Sequence, residues 1–260
     1  MLIRFTVAAA LILATVLAVE LTSTAGFLAT LSLLAVISAH ELGRMLRAYS
    51  FSFFPSTYLW CAVLPWMWVY GRGWMPEVVL AALLLTLVFG VASLRNIEVG
   101  FPSISCNWLA VLYLGMPLCI LAHYREVSRW EIWLVLLTIW AGDSMALMAG
   151  RCWGSIKITP IISPKKTLQG YLGGMSASLA AALILGWMWF PARSLWFWAA
   201  AGLTVGFFGI MGDLFESVIK RGAHIKDSSH LLPGHGGLLD RIDSTLFAFP
   251  AYYLLSRLVE

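Results

Sequence analysis

An all-α, polytopic integral membrane protein is the fold class this sequence predicts, and three observations predict it. Hydrophobic residues make up 60% of the 260 residues and charged residues only 12%, with a mean hydropathy of +0.84. Apolar runs of about 17 or more residues recur along the chain, each expected to be long enough to cross the ~30 Å hydrocarbon layer as a helix. No ~10-residue alternating segments of the kind a transmembrane β-barrel needs are visible. The 13 tryptophans then fit interfacial belts and helix packing.

The elements follow in order. Residues 1–20 join a basic residue, an apolar run and small residues, as a signal peptide would. With so many runs behind it, this stretch reads better as an uncleaved first transmembrane helix. A second run covers Ala25–Ala39 and leads into a polar segment with His40, Glu41, Arg44 and Arg47. The third, Phe53–Tyr70, contains Pro55 and Pro65 and is expected to kink. Further runs cover Pro76–Leu94, Cys106–His123, Glu131–Gly150, Gly170–Phe190, Leu195–Glu216 and Ser244–Leu258, giving nine candidate spans. No internal repeat or low-complexity linker interrupts them, so residues 1–260 read as one membrane-embedded domain.

Loop charge tests that count. With the loop around Lys220 placed in the cytoplasm, Arg4, Arg44, Arg47, Arg95, Arg151, Lys157, Lys165, Lys166, Lys220, Arg221, Lys226 and Arg241 fall inside. Only Arg72, Arg125, Arg129, Arg193 and Arg257 fall outside. Cytoplasmic loops retain Lys and Arg, so the N-terminus is expected inside and the C-terminus outside. The same rule accounts for the net charge of +4, which therefore does not argue for nucleic acid. The four cysteines, Cys61, Cys106, Cys119 and Cys152, form no CxxC pair and read as buried thiols.

The chemistry concentrates in Ser217–Asp243, a polar island in an apolar chain. It holds Lys220, Arg221, Lys226, Asp227, Asp240, Arg241, Asp243 and a Pro233-Gly234-His235-Gly236-Gly237 turn. Asp143 and Asp213 lie within or at the end of apolar runs, where an ionisable group is costly and is usually paired or functional. Asp213, Glu216, Ser217 and Lys220 are spaced to share one helical face that runs into the island. Asp240 and Asp243 are one turn apart beside the Gly-rich turn. Carboxylates so placed suit Mg²⁺, which takes one or two of them together with substrate phosphates; helix capping could account for one of the two. The Gly-rich turn could cradle an anion with its N–H groups, although such turns are most often only turns. A second island, Ser163-Pro164-Lys165-Lys166-Thr167, offers point charges for phosphate. Gly170, Gly173 and Gly174 behind it suit either a phosphate mouth or close helix packing.

Taken together, Ser217-x-x-Lys220-Arg221, Lys226-Asp227 and Leu232-Pro233-x-His235-Gly236-Gly237-x-x-Asp240-Arg241-x-Asp243 resemble the signature of phosphatidate cytidylyltransferases. Asp143-Ser144 and the Ser163–Thr167 island resemble further family motifs, so the likeness covers residues 131–260. Residues 1–130 resemble the family only in general character, with Glu41 the one candidate family position there. Leu168-Gln169 stands where the family pattern has Trp-Glu, and Met145-Ala146-Leu147 lacks its aromatic residue, which leaves room for a different lipid or nucleotide preference.

The resemblance implies transfer of the cytidylyl group of CTP to phosphatidate in the bilayer, giving CDP-diacylglycerol and pyrophosphate with Mg²⁺, and room for a second, monovalent cation. It implies Asp213, Asp240 and Asp243, with Asp143, as metal ligands, and Lys220 beside the first three in catalysis. Ser163, Lys165, Lys166, Thr167, Ser217, Arg221, Lys226, His235, Gly236, Gly237 and Arg241 would hold substrate phosphates. The site would face the cytoplasm of a bacterial inner membrane, and a second copy of the chain is a further candidate partner. A CTP-dependent lipid kinase is the rival enzymatic reading. A transporter using Asp143 and Asp213 as a relay is the rival from another class.

Overall fold

The computed structural model describes residues 2–71, 73–93 and 97–259. Arg72, Arg95 and Leu94, the end of the fourth expected span, lie outside the described residues. Among the described residues ten α-helices follow one another: α1 Leu2–Val16, α2 Thr24–Ala48, α3 Pro55–Tyr70, α4 Met75–Ser93, α5 Gly100–Ala110, α6 Met116–Val127, α7 Arg129–Trp153, α8 Leu168–Trp189, α9 Leu195–Gly222 and α10 Leu239–Val259. Single π-helical turns extend α1 to Leu21 and join α5 to α6. Among the described residues there are no strands, only isolated bridges, and the all-α membrane class holds.

All nine apolar runs are helical, but the count of nine spans is not reproduced. Among the described residues six helices are both long and apolar enough to cross a bilayer: α2, α4, the α5–α6 rod, α7, α8 and α9. The 16 residues of α3 rise only about 24 Å, short of the hydrocarbon thickness. The apolar part of the first run is likewise short, Phe5–Leu21. In α10, Asp240, Arg241, Asp243, Pro250, two tyrosines and Arg257 dilute the apolar character. The polar segment after the second run is no loop: α2 continues through His40, Glu41, Arg44 and Arg47 to Ala48. Its buried residues Leu42, Met45 and Leu46 continue the face set by Leu28, Leu31 and Ala35.

The chain forms two compact units. One comprises Met1–Val127 and Ile219–Ile242, the other Ser128–Val218 and Asp243–Glu260, so each draws on two separate stretches. In the first, α2, α3 and α6 pack around Leu28, Leu31, Met45, Leu64, Leu114 and Leu118. A buried Asn107 ties the turn after α2 into this core. Its Oδ1 accepts from the Phe54 N–H at 2.8 Å and the Thr57 hydroxyl at 2.5 Å, and its Nδ2 donates to the carbonyls of Ser52 and Ser103 at 2.8 Å each. A buried amide is tolerated in an apolar core only when so satisfied.

In the second unit α7 lies along α8 with small residues at the seam. A methyl added at Gly173 would sit 2.6 Å from Ala149 Cβ, and one at Gly170 would sit 2.9 Å from the Ala146 carbonyl. Gly170, Gly173 and Gly174 therefore serve close helix packing, the second of their two readings. At the far end of α7, buried Glu131 pairs with Arg193 at 3.2 Å and accepts from the Tyr252 hydroxyl.

Candidate active site

The polar island begins on the last turn of α9. Lys220 and Arg221 lie in that turn, where the helix dipole favours cations. The helix ends in a tight turn with His224 at φ +58°. The chain then passes Lys226 and Asp227 and folds over Leu232–Gly236. There the Leu232 carbonyl accepts from the His235 N–H at 2.9 Å. Pro233 and Gly234, the latter at φ +75°, occupy the central positions, as a type II turn requires. The Nδ1 of His235, shielded from solvent, has no hydrogen-bond partner among the described residues.

Asp240, in the first turn of α10, is the hub of the island. Its Oδ1 takes the Lys220 ammonium at 2.5 Å. Its Oδ2 takes the Ser228 N–H at 2.8 Å, the Ser228 hydroxyl at 2.9 Å and the Gly237 N–H at 2.7 Å. Both partners of the ion pair are buried, with 9% of the Lys220 side chain and 6% of the Asp240 side chain exposed. Burial raises the Asp240 pKa. The Lys220 hydrogen bond, the Gly237 N–H, the Lys220 charge and the Ser228 N–H outweigh it, and the carboxyl sits below its ordinary range.

A second carboxylate underlies the first. Glu41, on α2 and 2% exposed, accepts from the Ser229 hydroxyl at 2.5 Å and the Leu238 N–H at 3.0 Å through Oε1. Its Oε2 accepts from the Ser228 hydroxyl at 2.9 Å and the Leu239 N–H at 2.8 Å. Leu238 and Leu239 open α10, so Glu41 caps that helix from another element. Gly237 is wedged between the two acids: a Cβ there would fall 1.9 Å from Ser228 Oγ and 2.6 Å from both Glu41 oxygens. A cavity of about 570 Å³ opens beside Glu41, lined by His40, Arg44, Tyr58 and Ser229–Leu231.

The second unit holds the other charged pair. Lys166, in the loop before α8, pairs with Asp213 on α9. This pair is far more open, with 21% of the lysine and 40% of the aspartate side chain exposed. Ser217, one turn on, donates to Asp213 at 3.4 Å. Thr167 is buried and caps α8, accepting from the Gly170 N–H at 3.2 Å, so its hydroxyl serves the helix. Gln169 accepts from the N–H groups of Ser155 and Ile156 at 3.1 and 3.3 Å and donates to the Ser155 hydroxyl at 2.7 Å. The glutamine that departs from the family pattern thus holds the start of the lysine-bearing loop.

The remaining expected residues fall as follows. Lys165, Lys226 and Arg241 are exposed, and Ser163 and Gly236 are half-buried. Arg221 is exposed and donates to the Ile225 carbonyl at 3.0 Å. Asp243 is buried and accepts from the Ser244 N–H at 2.7 Å. Asp143 is exposed on α7 and lines a narrow crevice with Gly142, Ala146 and Ser178. Among the described residues no group of three or more His, Cys, Asp or Glu side chains is gathered as a metal cage would be. The structure brings together Lys220, Gly237 and Asp240, and separately Lys166, Asp213 and Ser217. Sequence reasoning missed Ser228 and Ser229. Their signal was two hydroxyls directly after Lys226-Asp227, inside the island.

Residues 2–259 match the cytidylyltransferase family. The phosphatidate cytidylyltransferase of Bacillus subtilis is 36% identical over 185 residues, covering 69% of this chain and 67% of that protein. The phosphatidate cytidylyltransferase of Staphylococcus saprophyticus is 37% identical over 149 residues, 56% of each chain. That of Staphylococcus epidermidis is 31% identical over 226 residues, 86% of each. With a match running from the first helix to the last, this chain belongs to the cytidylyltransferase family.

Proposed function

We propose that this protein is a phosphatidate cytidylyltransferase, which makes CDP-diacylglycerol and pyrophosphate from CTP and phosphatidate at the cytoplasmic face of a bacterial inner membrane. The observation that carries the reading is the convergence of Lys220, Ser228, Gly237 and Asp240. Residues scattered through the polar island Ser217–Asp243 form one unit in space, held together by N–H groups and a cation. The family match and the names of the relatives support the substrate pair. The gathering of Lys220, Arg221, Lys226 and Arg241 in one polar island supports a cytoplasmic placement of that island.

The reaction needs little covalent help from the protein. A phosphatidate phosphate oxygen attacks the α-phosphorus of CTP, and the bond to the β-phosphate oxygen breaks to release pyrophosphate. The nucleophile is already anionic, so no general base is required. Catalysis is in-line positioning and charge neutralisation. Lys165, Lys166, Arg221 and Lys226 hold phosphates as point charges, and the turn at His235–Gly237 shapes the nucleotide end. The apolar helices hold the acyl chains within the bilayer.

The carboxylates fit Mg²⁺ by the chemistry of their donors: hard oxygens, with Asp213 two-fifths exposed. Mg²⁺ takes one or two carboxylates plus substrate phosphates, so a preformed cage of acids is not required. Asp213 and Asp243, with Asp143, are the proposed ligands; the oxygens of Asp240 already take Lys220 and three loop donors, so that residue shapes the phosphate-binding segment instead. When bound, the ion would offset the charge building up on the phosphates.

The test is pyrophosphate release by purified protein in detergent with CTP, phosphatidate and Mg²⁺. Release that needs all three establishes the reaction. Appearance of CDP in place of pyrophosphate, with a lipid alcohol as acceptor, would make the protein a CTP-dependent lipid kinase instead.

A further inference from the structure

We infer that Glu41 is a positioning residue for this reaction: a buried carboxylate on α2 that sets the Ser228–Asp240 segment from beneath. The inference rests on the cytidylyltransferase reading and assigns a role in it to the N-terminal helices. Four donors converge on Glu41, and none of them carries a charge: two serine hydroxyls and two backbone N–H groups. Burying a carboxylate without a cation is tolerated only where hydrogen bonds replace its hydration, and here each oxygen receives one hydroxyl and one N–H. The Ser228 hydroxyl lies 2.9 Å from both Glu41 Oε2 and Asp240 Oδ2. It has one proton, so the two acids share a single bridging donor. Through that bridge α2 reaches the Lys220–Asp240 pair, and through Leu238 and Leu239 it fixes the start of α10.

The pattern also says why a carboxylate is required. A glutamine of the same shape has one acceptor oxygen and one NH₂. The serine hydroxyls can rotate to accept from that NH₂, but the backbone N–H groups cannot. Because Leu238 N–H and Leu239 N–H meet different oxygens, either orientation of the amide points NH₂ at a backbone donor and orphans it. Glu41→Gln therefore keeps the volume and loses the register of the loop that the nucleotide phosphates meet.

The experiment measures wild type and Glu41→Gln side by side, by steady-state kinetics and by amide hydrogen exchange. In the variant we expect KM for CTP to rise about tenfold, kcat to fall about tenfold, and exchange at Leu238 and Leu239 to accelerate while α7 and α8 keep their protection. A merely smaller folded fraction would lower the apparent kcat but leave KM unchanged, so KM separates positioning from stability. Wild-type KM for CTP in the variant overturns the inference, as does unchanged exchange at Leu238 and Leu239. Should Glu41→Gln fail to fold, Ser229→Ala removes one of the four bonds and is expected to raise KM for CTP about threefold; an unchanged KM there overturns it equally. Inactive wild-type protein would sink the cytidylyltransferase reading instead, and the exchange result would still decide the role of Glu41 in holding the loop.

Discussion

Lys220–Asp240 and Lys166–Asp213, two Lys–Asp pairs among the described residues, are alike in chemistry and unlike in setting. Lys220–Asp240 is sealed, with under a tenth of either side chain exposed, and Asp240 also takes three donors from the loop. Lys166–Asp213 is open, and the hydroxyl of Ser217 at 3.4 Å is a weak addition. A buried pair that loses one partner leaves a charge stranded, whereas an exposed pair contributes little stability and exchanges partners readily. The contrast divides the labour. On the proposed reading, the sealed pair would shape the phosphate-binding segment, and the open pair would part so that its lysine meets phosphate and its carboxylate meets Mg²⁺.

Asp240→Asn should have the largest effect, because it strikes both shape and charge. It removes the charged partner of buried Lys220 and weakens the acceptor for three donors, so we expect about 3 kcal/mol of lost stability and turnover lower by about two orders of magnitude or more. Thermal unfolding and pyrophosphate release would measure these. Near-normal turnover would remove Asp240 from the site. Asp213→Asn comes next and separates the two quantities. Turnover should fall steeply while stability changes by about 1 kcal/mol or less, as for an exposed pair. A loss of stability as large as that of Asp240→Asn would erase the distinction between the pairs.

The smallest effect is that of acid. The Asp240 carboxyl titrates below its ordinary value in the folded protein. Its contribution to stability is thus complete above the unfolded carboxyl pKa of about 3.9 and is lost as pH falls through the lower folded value. Thermal unfolding should show no Asp240-dependent change from pH 7 to 5 and a decline below about pH 4 that Asp240→Asn lacks. A decline already present at pH 6 would point to another group.

Much of this was legible in the chain. The nine helical runs, the helical face through Asp213, Ser217 and Lys220, and the polar island all follow from hydropathy and spacing, which are local properties. Glu41 was visible only as part of a polar segment and as a family position, and Ser228 and Ser229 only as two unassigned hydroxyls inside the island. Their roles depend on donors 187 to 198 residues away from Glu41 in sequence, and no periodicity encodes such a meeting. The count of nine spans is not reproduced where length or apolar character runs short, in α1, α3 and α10.

By itself, then, the sequence determined the class and the chemistry. A chain this apolar has to satisfy its backbone within helices, and the only dense group of charges has to sit where helices end. Tertiary structure alone decided which charges became scaffold and which stayed available. Thr167 became a helix cap, Gly170 and Gly173 a packing seam, and Asp240 the sealed partner of Lys220, while Asp213 remained open to solvent. The physical reason is that an aspartate's role depends on its burial and on its donors, and both are set by residues that only folding brings beside it.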